Sequence, residues 1–461
     1  MSNHYIPRAE RRQAGKNQRE ESPRENLGDW KMREKKPGIV ELLEESNKGR
    51  IKGLIPVRYG RMAQSAFHFF RGSAIIQARD QQSAVSSGVI VQACGDCHLG
   101  NFGGFATPER SLAFDINDFD ETFPAPFEWD LKRLVASLVL ASRYNGFGDA
   151  NARDAVRACT STYRKRIEEY SQLTLLQTWY NRITVDDLIE YFGNNKDAQK
   201  RLARRKEEAS SRTSEAVFPK LTKLVNGRPQ IVDDPPLIYH FQSQVKDLKE
   251  SREKLISEYR QSLVSDRRAL FDRYVPIDSA IKVVGVGSVG TRCMISLLMA
   301  DDDDPLFLQV KEARRSVLEK PTGKSRYAHQ GERVVAGQRL MQAATDMFIG
   351  WASGPEKRHY FVRQLRDQKV SAELESMKKG TLVAYADICG WALARAHAKA
   401  GDAALLLGYI GTSARLDEAM ERYSIAYADQ VEADFDVFTR AIRRGHLRTD
   451  TSSEIGQEFN L

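Results

Sequence analysis

The feature that most constrains this chain is a short acidic run, Asp115-Ile116-Asn117-Asp118-Phe119-Asp120-Glu121. Carboxylates this close repel one another. A divalent cation is the simplest compensation, and a solvated acidic turn is the alternative. The run follows an expected strand, Ser111 to Ile116, which leaves the turn Thr107-Pro108-Glu109-Arg110. Upstream, residues 88–94 carry a second short apolar strand pattern. That strand runs into the loop Gly95-Asp96-Cys97-His98-Leu99-Gly100-Asn101. An Asp and an Asn on one loop can converge on a reacting group. Asp96 can orient a hydroxyl and accept its proton. The Asn101 carbonyl can join a magnesium shell, because that ion takes hard oxygen ligands. Taken with this loop, the acidic run favours a metal over a bare turn.

A third motif lies much later. Gly285-Val286-Gly287-Ser288-Val289-Gly290 is a G-x-G-x-x-G, which has two unrelated uses. In a dinucleotide fold it opens a helix, with an acid further on, and Asp301 to Asp304 fall at about that distance. In a kinase it is a strand–turn–strand over the phosphates, followed by a strand lysine. Here Ile281 to Gly285, Met294 to Met299 and Leu306 to Val310 read as strands, and the last ends in Lys311. That order favours the kinase use, in which Gly285, Gly287, Ser288, Gly290 and Lys311 bind the nucleotide. A helix over 326–349 would then present Glu332 to Lys311, or carry Glu332 as an ordinary surface acid. Tyr360 to Leu365 reads as a further strand, and residues 382–438 as helices.

The string Gly95 to Asn101, then Ile116-Asn117-Asp118-Phe119-Asp120, then Trp129-Asp130-Leu131 resembles the catalytic half of aminoglycoside-phosphotransferase and choline-kinase-like enzymes. The Asp-x-x-x-x-Asn spacing and the following metal Asp are shared with protein kinases. The resemblance implies Asp96 as catalytic base and Asn101 and Asp118 as magnesium ligands, with Asp120 beside them. Asp130 would brace the loop, and ATP with Mg2+ would be bound. Cys94 stands where these families often have His, and Asp120 where protein kinases have Gly. The longer pattern, with Phe102-Gly103 and Lys311-Glu312-Ala313, is similar to the bacterial DUF2252 family. The implied fold is α+β, protein-kinase-like and two-lobed. It is circularly permuted, because the catalytic loop precedes the Gly-rich loop and Lys311. The helix Ala384 to Lys399 then matches the one that ordinarily leads into the catalytic loop.

The organisation expected is a polar flexible tail over 1–50 and a larger helical catalytic lobe over 54–274, with a helical insertion. A small β-rich nucleotide-binding lobe over 275–370 follows, and C-terminal helices over 371–461 complete the larger lobe. Hydrophobic residues make up 41 % of the chain, enough for a sizeable core. The net charge of +8 suits a phosphate-bearing ligand as well as RNA, and nucleic acid is not favoured. No apolar window reaches membrane length, and five cysteines do not make a disulfide framework. A cytoplasmic protein is expected. Cys94-Gly95-Asp96-Cys97 is a lone C-x-x-C and is set aside as a zinc or redox site. His98 is read as bracing its loop and His397 as a core histidine. Arg71, Arg292, Arg363 and Arg366 fall at strand or loop ends, where each could hold an anion. The expected reaction is phosphoryl transfer to a small-molecule or protein hydroxyl. The alternatives are nucleotide binding or AMP transfer without kinase activity, and a nicotinamide-dependent oxidoreductase using Gly285–Gly290.

Overall fold

The structure is a computed structural model. It describes residues 5–31, 33, 37–193, 196–210, 213–235, 237–240, 247–283, 285–365 and 370–450. The architecture is mixed α+β. Helices α1 (Arg8–Glu21), α2 (Ile39–Asn47), α3 (Ile55–Met62), α4 (Ala66–Gly72) and α5 (Ala74–Gln81) come first. Short strands β1 (Ile90–Ala93), β2 (Phe102–Ala106), β3 (Leu112–Ile116) and β4 (Phe123–Pro126) follow. They form small sheets in which β1 pairs with β4 and β2 with β3.

Helix α6 (Phe127–Tyr144) starts after Pro126, with Glu128 and Asp130 in its first turn, where the helix dipole favours acids. All of its residues from Phe127 to Ser142 are buried, so it is the axis of the large core. Around it pack α4, α7 (Gly148–Gln172) and the late helices, which supply Leu393, Leu407, Tyr423 and Tyr427 to the same apolar cluster. Between them come α8 (Leu175–Tyr180), α9 (Val185–Tyr191), α10 (Lys196–Ser210) and α11 (Ser214–Leu221). A hairpin β5 (Thr222–Val225)–β6 (Arg228–Ile231), strand β7 (Ile238–Tyr239), α12 (Asp247–Ser262) and α13 (Ser265–Phe271) lead to the second body of the fold.

That body is an antiparallel sheet of six strands. Its long members are β8 (Val275–Lys282), β9 (Cys293–Asp301) and β10 (Asp304–Glu312). After α14 (Glu319–Thr322) and α15 (Gln330–Met341) come β11 (Gly350–Ser353), β12 (His359–Gln364) and β13 (Val370–Ser371). The sheet order is β11-β12-β10-β9-β8-β7, and β13 pairs with β2 instead. Alternation along β10 decides its faces. Leu306, Leu308 and Val310 pack with Tyr259 and Phe271 from α12 and α13. Phe307 packs with Val217 and Leu221 of α11. Lys311 shares the face of Phe307. Helices α16 (Lys379–Ala400), α17 (Ala403–Ile410) and α18 (Arg415–Arg443) close the chain.

Three expectations need correction. Residues 8–21 are not a flexible tail: α1 packs on α17, and Gly15 makes the approach feasible. A Cβ there would lie 2.1 Å from the Leu405 carbonyl oxygen. The α1 sequence is highly polar, and it is held by backbone proximity rather than by an apolar stripe. The small lobe does not begin at 275. Strand β7 joins the sheet, and α11 to α13 cover its faces, so much of 214–272 belongs with it. The helix expected over 326–349 is confined to 330–341. It stops because the Ala343 N–H goes to Asp115 Oδ2 at 2.8 Å. Arg366 lies outside the described residues.

Candidate functional site

The loop after β1 is fixed from below. Asp130, in the first turn of α6, accepts the backbone N–H of Cys94 at 2.6 Å and of Gly95 at 2.9 Å. His397 of α16 stands 3.3 Å from Asp130, and the Tyr163 hydroxyl meets its other ring nitrogen at 2.8 Å. His397 is therefore a satisfied core histidine and Asp130 a brace. Gly95 has φ +86°, and a Cβ there would lie 2.3 Å from the Glu121 carbonyl oxygen. Only glycine lets this loop and the end of the acidic run touch.

The loop then orders itself. His98 accepts the Gly100 N–H at Nδ1, 3.1 Å away, so the proton of its neutral ring sits on Nε2. Burial and then Arg71 hold that ring well below the usual histidine range. Asn101 donates its amide to the Asp96 carbonyl at 2.7 Å. The Asp96 carboxylate is 2.7 Å from the guanidinium of Arg133, another α6 residue. Arg133 also stacks over Phe70, 3.8 Å from the ring centre, and donates to the Phe70 carbonyl. Burial raises the Asp96 carboxyl, while Arg133 pulls it down.

The acidic run divides. Asp115 is fully buried and takes Arg395 of α16 on both oxygens, at 2.9 and 2.8 Å. Asp118 and Asp120 turn instead to Lys311, whose ammonium is 2.7 Å from Asp120 and 3.6 Å from Asp118. Motifs on opposite sides of a long stretch of sequence thus meet. Burial alone would lower the Lys311 ammonium; the two carboxylates more than offset it, and it stays raised. Burial and Asp118 raise the Asp120 carboxyl. One Asp120 oxygen, Oδ1, is buried without a hydrogen-bond partner.

The Gly-rich segment is a turn between β8 and β9 and opens no helix. The helix N-terminus that the dinucleotide reading needs is absent there, and Asp301 to Asp304 lie in the β9–β10 turn. The turn is clamped by the segment after α2. Gly290 accepts the Ile51 N–H at 2.8 Å, Val289 accepts from Arg50, and Gly285 accepts from Arg61. Ser288 lies at its tip, 3.5 Å from Asp120.

Glu332 does not reach Lys311. It sits in the first turn of α15, a position that suits an acid by dipole alone, and no ion pair joins it to Lys311 among the described residues. Its neighbour Arg333 anchors the acidic run, donating to the carbonyls of Thr122 at 2.6 Å and Asp120 at 2.8 Å. Arg363 of β12 ties the sheet to the acidic run by donating to the Asn117 carbonyl at 3.1 Å. Arg292 pairs with Glu312. Cys94 and Cys97 are buried free thiols, and burial pushes Cys97 well up. Among the described residues no group of three or more His, Cys, Asp or Glu side chains is arranged to hold a metal. Arg133, Arg333 and Arg395 were not legible as site residues. Their only sequence signal is an arginine within an otherwise apolar helix face.

Asp96, Asn101, Asp118, Asp120, Gly287 and Lys311 line one cleft of about 1780 Å³. No helix among the described residues is long and apolar enough to cross a membrane.

Residues 50–441 match the family described as an uncharacterized protein conserved in bacteria, DUF2252, and the chain belongs to that family. Comparison with curated proteins gives no match. Comparison with solved structures gives none either.

Proposed function

We propose that this DUF2252 protein is an ATP- and magnesium-dependent phosphotransferase on a circularly permuted kinase-like fold, with a hydroxyl-bearing acceptor. The observation that carries the reading is the meeting of Lys311 with Asp118 and Asp120 beside Asp96 and Asn101, at 2.7 Å for the closest pair. A Gly-rich turn between two antiparallel strands, a lysine on the third strand and a helix before the next strand are the parts a kinase uses to hold phosphates. The permutation has its own support. The end of α16 comes down on β1: a Cβ on Gly401 would lie 2.7 Å from Val91 Cγ1. A chain joined there would run from α16 straight into the catalytic loop, in ordinary kinase order.

The residues present suit a magnesium ion. Two carboxylates repel each other, one Asp120 oxygen is buried without a partner, and Mg2+ is usually held by one or two carboxylates plus substrate phosphates. Asp118, Asp120 and the Asn101 carbonyl would hold it, and when bound it would neutralise charge on the phosphates. Lys311 and the backbone of Gly285–Gly290 position the nucleotide. Asp96 orients the acceptor hydroxyl. The acceptor oxygen bonds to the γ-phosphorus as the bond from that phosphorus to the β–γ bridging oxygen breaks. ADP leaves, and the hydroxyl proton passes to the Asp96 carboxylate. Catalysis is then positioning and charge stabilisation.

Calorimetric titration of ATP, with and without magnesium, into wild type and Asp118→Ala tests the nucleotide site. Magnesium-dependent binding that the substitution removes is expected. Binding indifferent to magnesium and to Asp118, or no binding, overturns the reading. Product analysis then separates ADP release from the release of pyrophosphate that AMP transfer would give.

A further inference from the structure

The cleft holds a second set of charges that the reaction above does not use. Arg58 is buried, with 1 % of its surface exposed, while Arg50 and Arg314 are half-buried beside it. All three line the cleft. Arg333 is held by carbonyls and the Gln330 side chain, but other arginines of the interior meet carboxylates: Arg395 with Asp115, Arg133 with Asp96, and half-buried Arg33 with Asp80 and Asp434. These three do not. Arg58 donates to the Asn47 side-chain amide and the Gly72 carbonyl. Arg50 donates to the carbonyls of Ser46 and Val289. Arg314 donates to the carbonyls of Ser46 and Lys48. None of them has an ion-pair partner among the described residues.

Nearby acids are already committed. Glu312 is shared by Arg292 and Arg358, and Glu45 pairs with Lys320. Glu121 accepts the Val317 N–H. The guanidinium groups also oppose one another. Burial first, then Arg58 and Arg314, hold Arg50 well below the ordinary arginine value. Burial, with a contribution from Arg314, pulls Arg58 down to about 10. The Nε of Arg58 is buried without an acceptor. Burying like charges together is unfavourable unless an anion joins them.

Position says which anion. Arg58 comes from α3, Arg50 from the segment after α2 and Arg314 from the segment after β10, and Arg50 also donates to the Val289 carbonyl of the Gly-rich turn. Lys311, which the reading above gives to the nucleotide, pairs with Asp118 and Asp120 and stands apart from this set. Arg61 and Arg71 line the same cleft as Asp96 and Gly100. We propose that the acceptor carries a phosphate-class anionic group, recognised by Arg50, Arg58 and Arg314 while its hydroxyl faces Asp96. This rests on the phosphotransferase reading for the role of Asp96 but not for the anion site itself.

Calorimetric titration of inorganic phosphate and of tripolyphosphate into the full chain tests it, with and without saturating magnesium and a non-hydrolysable ATP analogue. Phosphate is expected to bind in both conditions. Arg314→Gln and Arg50→Gln should weaken it about tenfold or more, the loss of one charge-assisted hydrogen bond. Affinity for magnesium–ATP should stay within about twofold in Arg314→Gln. Arg58→Gln joins them only if its circular dichroism and melting curve match wild type. Phosphate binding that vanishes once the analogue is present would make the arginines a nucleotide subsite and overturn the proposal. No phosphate binding at all, or binding unchanged in both exposed-side variants, would also overturn it. If ATP fails to bind while phosphate binding depends on Arg314, the anion site stands and the phosphotransferase reading falls.

Discussion

Within one acidic run, Asp115 and the pair Asp118–Asp120 have opposite surroundings. Asp115 is shut in the core with Arg395, the Ala343 N–H and no exposure. Asp118 and Asp120 keep 34 % and 28 % of their side-chain surface and share one lysine. The first arrangement is balanced in charge, one guanidinium to one carboxylate, with Nε and Nη1 of Arg395 left without a hydrogen-bond partner. The second is not, since two carboxylates face a single ammonium and one oxygen has no donor. The contrast between Arg395 and Arg58 repeats the lesson in cations. Both are buried, yet one is neutralised by the protein and the other only by neutral dipoles. Completed charge marks structure, and incomplete charge in a cleft marks a place for something else.

The largest effect should come from breaking the completed pair. Arg395→Met leaves Asp115 buried without its cation, and loss of one partner of a buried pair costs about 3–5 kcal/mol. Denaturant unfolding should show that loss. Asp118→Ala should change stability by no more than about 1 kcal/mol, in the usual range for a half-exposed side chain, while removing magnesium-dependent ATP binding. Equal destabilisation by both substitutions would erase the distinction between the two halves of the run.

That distinction was not legible in the sequence, although the run itself was. Strand β3 and the spacing from Asp96 to Asn101 are local patterns, and apolar periodicity marked α6. What decides the fate of each carboxylate is the cation it meets, and Arg395 and Lys311 lie far along the chain. Periodicity also cannot find an arginine such as Arg133, which sits within the buried face of α6 because Asp96 and the Phe70 ring accommodate it. Helix α1 escaped for another reason: it is seated through Gly15 against the backbone of α17, with hardly an apolar residue to signal burial. The Gly-rich motif alone fits a helix start or a hairpin turn, and it lies in the turn between β8 and β9.

A smaller effect separates Asp96 from an ordinary aspartate. Burial raises its carboxyl and Arg133 opposes the rise. The base acts deprotonated, so activity should climb as pH passes through the raised value. The acid limb of the kcat/KM profile should lie above the ordinary aspartate value of about 3.9. The linked stability has the opposite sense: a carboxyl raised on folding favours the folded state at low pH, and that contribution fades as pH rises through the folded value. Arg133→Gln removes the opposing charge and should move the limb further up. A limb that stays put or moves down would show that Arg133 does not set the basicity of Asp96.

The smallest expected effect is the most pointed. Lys311 in a kinase-like site would be expected to pair with an acid on the following helix, and Glu332 is the acid that sequence order offers. Here the ammonium is already taken by Asp118 and Asp120, and Glu332 stays at the start of α15, where a negative charge is stabilised by the helix dipole. Its neighbour Arg333 anchors the acidic run through backbone carbonyls. Glu332→Gln should therefore leave magnesium–ATP affinity within about twofold and stability within about 0.5 kcal/mol, as judged by calorimetry and thermal unfolding. Arg333→Gln should weaken both, because the Asp120 and Thr122 carbonyls lose their donor and the acidic run loses its anchor to α15. A large loss of ATP binding in Glu332→Gln would mean that Lys311 exchanges its aspartates for Glu332 once nucleotide and metal arrive. The pairing seen here would then be the resting form of a site that rearranges on binding.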